Sequence, residues 1–160
     1  MNQTVICPGS FDPVTRGHLD IITRASKMFG KVVVAVLVNS SKTPTFSTEE
    51  RIALLQAATA ELPNVDIVSF EGLLAEYCKS CGINTIVKGL RAVSDFEYEF
   101  QMALANKKLN PGLETIFLTA DADSTFLSSS MVREIGSMGG DISNFVPACV
   151  HDIIVTKLRK

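Results

Sequence analysis

The chain has no apolar run near the ~18 residues that a membrane span requires, and no charged-then-apolar leader at its start. A soluble protein of the cytoplasm is the expectation from these two absences. An excess of either charge is missing as well. Fifteen Lys and Arg stand against 17 Asp and Glu, for a net −2 at pH 7 and a pI near 5.7. No electrostatic footprint for duplex nucleic acid results. The basic end Lys157-Leu158-Arg159-Lys160 is short and reads as a solvated helix tail. Repeats, low-complexity tracts and linkers are absent too, so residues 1–160 read as a single domain. A domain of that size buries about two-thirds of its unfolded surface. With 46% hydrophobic and 20% charged residues, its composition is that of a globular chain rather than a disordered one.

Cysteine is scarce and poorly placed for chemistry. Of Cys7, Cys78, Cys81 and Cys149, only Cys78-Lys79-Ser80-Cys81 has suggestive spacing. Redox pairs sit at helix N-termini, where the dipole stabilises a thiolate; this pair ends a helix before Gly82, where the dipole opposes it. No second such pair or nearby His completes a zinc site. Buried, reduced packing residues are expected. No Walker sequence and no G-x-G-x-x-G follow a strand, which disfavours kinase-like and nicotinamide-binding readings.

What is present is a regular alternation of strand and helix patterns. Thr4 to Cys7 reads as a strand broken by Pro8-Gly9, and Gly17 to Phe29 as a helix with Leu19, Ile22, Ser26 and Phe29 on one face. Val32 to Val38 is apolar on both faces, as a central parallel strand is when helices cover both sides. Ser47-Thr48-Glu49-Glu50 has capping-box spacing and opens a helix with Ile52, Leu55, Thr59 and Leu62, ended by Pro63. A strand over Val65 to Phe70 and a helix over Leu73 to Cys81 follow, then a strand over Ile83 to Val87. Ser94-Asp95-Phe96-Glu97 repeats the capping-box spacing at the head of a helix reaching Lys108. Thr115 to Ala120 is the fifth strand. A helix from about Ser129 and another entered through Pro147 complete the chain. The pattern predicts an α/β fold: one doubly wound domain whose five-stranded parallel sheet has helices on both faces.

In such sheets ligands bind beyond the carboxyl ends of the strands. There the sequence places Ser10, Phe11 and His18, then Lys42, then Leu73 and Leu74, then Lys88 to Arg91, then Ser128 to Ser130. Cations, an imidazole, hydroxyls and two leucines on one edge suit phosphates attached to something partly apolar. Helix starts at Gly17-His18 and Ser129-Ser130 add free N–H groups suited to anions. Taken singly, His18 also fits a packed polar residue, the serines plain caps, and Lys42 or Arg91 a solvated loop charge. His151, without such company, reads as structural or surface.

These residues carry a resemblance. Pro8-Gly9-Ser10-Phe11-Asp12-Pro13-Val14-Thr15-Arg16-Gly17-His18 resembles the opening motif of the bacterial phosphopantetheine adenylyltransferase family, in which Thr replaces the first His of the wider H-x-G-H superfamily. Lys88-Gly89-Leu90-Arg91 with Asp95-Phe96-Glu97-Tyr98-Glu99 is similar to its second signature. Phe126-Leu127-Ser128-Ser129-Ser130 with Arg133 looks like the superfamily's I-S-S-x-x-x-R element. The three motifs at this spacing, within a match from about residue 5 to about 150, are specific; the first alone marks only the superfamily.

The resemblance implies a Rossmann-like nucleotidyltransferase fold. It also implies transfer of the adenylyl group of ATP to 4′-phosphopantetheine, giving dephospho-coenzyme A and pyrophosphate. Ser10, Phe11, His18, Gly89, Leu90, Arg91, Glu99, Ser124, Thr125, Phe126, Leu127, Ser128, Ser129 and Ser130 match the family's ATP positions. Ser10, Lys42, Leu74 and Lys88 match its phosphopantetheine positions, with Leu73 beside Leu74 in the pantetheine channel. His18, Lys42 and Arg91 are the catalytic candidates. Mg²⁺ carried by the ATP phosphates rather than by protein ligands, a homohexamer, and inhibition by coenzyme A are further family traits. The chain departs from the pattern at Arg16, which places an extra cation near the triphosphate. It departs again at Lys88, where a point charge replaces a bidentate fork, and at Ser124-Thr125, which lack an aromatic.

Two other functions stay in view. A sister enzyme acting on nicotinamide mononucleotide or a sugar or glycerol phosphate is disfavoured by Thr15 and Lys42. A non-catalytic nucleotide sensor would have no use for an acceptor-side cation. A synthetase fragment leaves no residues for a tRNA-binding domain.

Overall fold

A computed structural model describes residues 3–160. Five parallel strands form one sheet: β1 (Thr4–Gly9), β2 (Lys31–Val38), β3 (Val65–Glu71), β4 (Thr85–Leu90) and β5 (Glu114–Thr119). Their order is β3-β2-β1-β4-β5. The chain first winds outward from β1 through β2 to β3, then returns to β4 on the other side of β1. The reversal between β1 and β4 is the switch point at which doubly wound sheets bind ligands. Along β2 the pairing with β1 is continuous, from Thr4–Lys31 to Gly9–Val36, whereas β1 meets β4 in register only at Ile6–Ile86. Beyond that pair the residues of both strands line a cavity.

Six helices cover the sheet: α1 (Arg16–Met28), α2 (Thr48–Ala58), α3 (Leu74–Cys81), α4 (Val93–Leu109), α5 (Ser129–Ser137) and α6 (His151–Leu158). The period of two along the strands sends Val5, Cys7, Val32, Val34 and Val36 to one face, where they pack with Ile22, Leu55, Val132 and Ile154. Ile6, Val33, Ala35 and Ile86 face the other way, onto Phe70, Ala75, Cys78 and Leu113. Helices thus lie on both sides, as the apolar β2 pattern predicts. α4 differs from the rest: none of its 17 residues is buried, and Val93, Phe96, Tyr98, Phe100, Leu104 and Leu109 are exposed.

Several local expectations need correction. β1 runs through Pro8-Gly9 instead of stopping at Cys7, because proline and glycine there still pair in register with Ala35 and Val36. α2 stops at Ala58, four residues short of Leu62, and its buried face includes Arg51, a charged residue that hydrophobic periodicity does not reveal. β4 begins at Thr85 and carries Lys88, Gly89 and Leu90 within it, so these residues are strand rather than loop. The Ser47 capping box forms, whereas the one expected at Ser94 does not. The N-cap of α4 is Ala92, two residues earlier, so Ser94 lies within the helix, and Asp95 turns to Arg91. Pro147 caps a short 3-10 turn rather than occupying a first helical turn. Cys7 and Cys78 are buried; Cys81 and Cys149 are exposed, so burial does not extend to the whole cysteine pair.

Candidate active site

Thr15 ends the β1–α1 loop as the N-cap of α1. Its hydroxyl accepts the His18 N–H, while its own N–H donates to His18 Nδ1 at 3.0 Å. Capping boxes ordinarily close with Glu or Gln; here an imidazole closes one. With Nδ1 accepting, the ring proton of neutral His18 lies on Nε2. Burial, then the positive charges of Arg91 and Lys88, lower the His18 pKa to about 4. His18 is therefore a neutral imidazole with one N–H to offer. The Phe11 ring meets it edge-on, 5.0 Å between centroids and 73° between planes. Phe11 reaches that place by adopting a left-handed backbone, φ 48°.

His18 lines a cavity of about 480 Å³ at the switch point. Ser10, Phe11, Gly89, Arg91 and Glu99 line it too, as do Ser124, Leu127, Ser128 and Ser129 from the segment after β5. Leu90, Thr125, Phe126 and Ser130 do not. The Leu90 carbonyl accepts from Ala120 N, Thr125 caps the turn at Ala122, Phe126 packs edge-on against Phe145, and Ser130 bonds Ser128. Leu90 lies in β4, Thr125 and Phe126 in a turn and Ser130 within α5, and motif matching alone does not register which way such side chains point.

Two helix N-termini open on this cavity, α1 at Gly17 and α5 at Ser129, and both offer free N–H groups to an anion. Ser129 Oγ also donates to the Pro13 carbonyl at 2.8 Å, joining α5 to the β1–α1 loop. Arg91 donates to the Asp95 carboxylate at 3.0 Å and to the Leu127 carbonyl. Lys88 pairs with Glu99 at 3.3 Å. Arg16, expected beside the triphosphate, instead donates to the carbonyls of Val146 and Ser143, both at 3.1 Å, and is absent from the cavity wall.

A second cavity of about 550 Å³ adjoins the first. Ser10, Lys42, Leu73, Leu74 and Lys88 all line it, and Ser10, Lys88, Tyr98 and Glu99 belong to both walls. Apolar side chains from α4, Met102 and Leu109 among them, form its far wall. Lys42 is exposed and makes no ion pair among the described residues, in contrast to Lys88 and Arg91. Buried Arg51 supports the boundary from behind, donating to the carbonyls of Ser10 at 2.9 Å and Leu37 at 3.1 Å. Tyr98 and Arg51 are the functional candidates that strand-end reasoning misses. Tyr98 lies inside a helix, and Arg51 looks like one more charge in Glu49-Glu50-Arg51.

A switch-point cleft with an imidazole, cations and two helix N-termini defines the class, a nucleotidyltransferase, and residues 6–135 match the cytidylyltransferase-like family. A phosphopantetheine adenylyltransferase of Caldanaerobacter subterraneus subsp. tengcongensis is 54% identical over 99% of both chains. One of Dictyoglomus turgidum is 53% identical over 96% of both, and one of Methylococcus capsulatus 51% identical over 98% of this chain and 97% of its own. The chain belongs to the phosphopantetheine adenylyltransferase family. Among solved structures, a "putative nicotinate-nucleotide adenylyltransferase" of Vibrio parahaemolyticus superposes with a TM-score of 0.72 at 19% identity, covering 99% of this chain and 95% of its own. At that identity the likeness speaks for the fold alone.

Proposed function

We propose that the chain transfers the adenylyl group of ATP to 4′-phosphopantetheine, yielding dephospho-coenzyme A and pyrophosphate, in coenzyme A biosynthesis. The observation that carries this reading is the pair of adjoining cavities sharing Ser10, Lys88 and Glu99, with His18 in one and Lys42 in the other. ATP occupies the first and the acceptor the second, so the two phosphates meet at the shared wall. An oxygen of the acceptor phosphate attacks the α-phosphorus in line. The bond from that phosphorus to the bridging oxygen breaks, and pyrophosphate leaves with the electron pair. The attacking phosphate is already anionic, so no side chain need remove a proton.

The residues then act by position and charge. His18 Nε2–H donates to an α-phosphate oxygen as charge builds there. Lys42 orients the acceptor phosphate. Arg91 and the α5 N-terminus at Ser129 hold the ATP phosphates, and Leu73 and Leu74 flank the apolar pantetheine arm. Among the described residues there is no group of three or more His, Cys, Asp and Glu that could hold a metal. The carboxylates in the nucleotide cavity, Asp95 and Glu99, are engaged by Arg91 and Lys88. This donor set fits a Mg²⁺ brought in with ATP rather than bound by side chains, and the ion would supply neutralisation of charge on the departing pyrophosphate.

The same reading includes a homohexamer in the cytoplasm, inhibited by coenzyme A. Exposed Phe96, Phe100 and Leu104 on α4, a helix with nothing buried, support self-association. No helix among the described residues is long and apolar enough to cross a membrane. Light scattering at six times the 17.3 kDa chain mass tests the assembly. The activity is tested by incubating the chain with ATP, Mg²⁺ and phosphopantetheine and detecting dephospho-coenzyme A by mass. Nicotinamide mononucleotide serves as the parallel acceptor. Product from that acceptor alone refutes the assignment, and added coenzyme A should slow the reaction.

A further inference from the structure

The β1–α1 loop touches a different part of the site with each successive residue. The Ser10 carbonyl is held by Arg51 of α2, Phe11 meets His18, and the Pro13 carbonyl takes the Ser129 hydroxyl of α5. Between them stands Asp12, whose carboxylate is 13% exposed. One oxygen accepts the Phe46 N–H at 2.8 Å and the other the Thr45 N–H at 3.0 Å. Arg133 of α5 lies 3.7 Å from the second oxygen and also donates to the Asp12 carbonyl.

Thr45 and Phe46 end the loop that presents Lys42. At its start, Lys42 N donates to the Asn39 carbonyl at 3.2 Å, closing a turn. At its finish, Phe46 is 1% exposed and fixed in the core. Lys42, exposed, lies between these anchors, three residues before the Asp12 clamp. Two backbone donors on one ionised carboxylate form charge-assisted bonds, which hold a loop more firmly than neutral ones.

We propose that Asp12 is a positioning residue that fixes the Lys42 loop against the nucleotide half of the site, with Arg133 joining its carboxylate to α5. The inference rests on the two-cavity reading of the reaction. Asp12 acts on the acceptor through Lys42 and makes no contact with substrate. Its side chain sets where the lysine charge stands relative to the ATP held at Ser129 and His18. Neither an anion alone nor a loop residue alone would do this: the carboxylate must take both N–H groups and face Arg133.

The test is a double-mutant cycle of Asp12→Asn and Lys42→Ala, in the whole chain with ATP, Mg²⁺ and phosphopantetheine. Asn keeps the shape of Asp12 but loses its charge and one acceptor oxygen. Asp12→Asn should raise KM for phosphopantetheine by about tenfold, the scale of one charge-assisted hydrogen bond, with KM for ATP within about twofold. In the Lys42→Ala background it should add less than about twofold, since the residue through which it acts is gone. Hydrogen exchange should show faster exchange at Thr45 and Phe46 in the Asn variant, with β2 amides unchanged. Equal rises in both KM values, additive effects in the cycle, or lost protection across β2 would each overturn the proposal. A parent chain that makes no dephospho-coenzyme A overturns instead the reaction itself, and this inference with it.

Discussion

The Thr15 N–H donates to His18 Nδ1 at 3.0 Å, so the hydrogen bond that caps α1 also selects the tautomer of the His18 imidazole. A helix start and the proposed α-phosphate donor are thereby one device. The ring cannot turn without uncapping the helix, and its proton stays on Nε2. The lowered pKa agrees with that role, because a neutral ring between Lys88 and Arg91 avoids a third positive charge in the cavity.

His18→Ala should lower kcat by roughly 10²–10³, the scale of one lost transition-state donor, with ATP affinity nearly unchanged. Near-normal single-turnover rates would remove His18 from the mechanism. The folded-state pKa of about 4 lies below the ordinary 6.5, so between these values the unfolded chain binds a proton that the native ring refuses. The His18 contribution to stability is thus intact above pH 6.5 and is lost as pH falls toward 4. His18→Gln keeps a capping-box residue at this position. Denaturant midpoints at several pH values should therefore fall less steeply below pH 6.5 for this variant than for the parent.

Lys42→Ala and Arg91→Ala should separate the two cavities. Lys42 lines only the second, so its loss should raise KM for phosphopantetheine by about tenfold or more while the ATP saturation curve stays put. Arg91 lines only the first and should show the reverse. Initial rates with each substrate varied in turn decide the matter. A Lys42 variant with weakened ATP use and normal acceptor use would exchange the occupants of the two cavities.

Much of this was legible in sequence because the α/β alternation and the strand-end rule depend on local patterns. Val32 to Val38, apolar throughout, already required helices on both faces. The capping box at Ser47 formed because its Glu50 meets the Ser47 N–H; that at Ser94 failed because α4 already begins at Val93, which leaves Ser94 inside the helix. Where a helix begins depends on its tertiary surroundings, and sequence spacing is silent about them. Arg16 shows the same limit. Its neighbours Gly17 and His18 face the cleft, yet its guanidinium reaches carbonyls about 130 residues away. Pairings such as Asp12 with Thr45 and Arg51 with Ser10 arise from the strand order, which alternation alone leaves open.

Gly9→Ala tests how tightly the Phe11–His18 contact is built. A Cβ at Gly9 would stand 2.9 Å from Phe11 Cζ, well inside contact distance. Phe11 cannot yield freely, since its φ of 48° and its edge-on contact with His18 fix the ring. Overpacking of this kind costs about 1–3 kcal/mol. Gly9→Ala should therefore lower the urea midpoint and reduce kcat together. Gly17→Ala, whose Cβ would meet nothing closer than 3.6 Å, should leave stability unchanged or raise it slightly. Equal stability losses for the two would show that the Phe11 ring is not what decides, since backbone entropy favours Ala at both positions.

Arg51 is 3% exposed and has no carboxylate partner among the described residues; its guanidinium instead serves the Ser10 and Leu37 carbonyls and the Thr48 hydroxyl. Ser10 and Leu37 both line the second cavity, so one buried cation fixes both. Arg51→Met approximates the stem and removes every donor, leaving buried acceptors unpaired at a cost of about 3 kcal/mol. Arg51→Lys restores a charge but reaches fewer oxygens from a single nitrogen, and should recover only part of that loss. Urea unfolding measures the cost, and acceptor KM measures the consequence for the site. If Arg51→Met matched the parent in both, the carbonyls would be satisfied without the guanidinium, and the wall at Ser10 would owe its place to β1 alone.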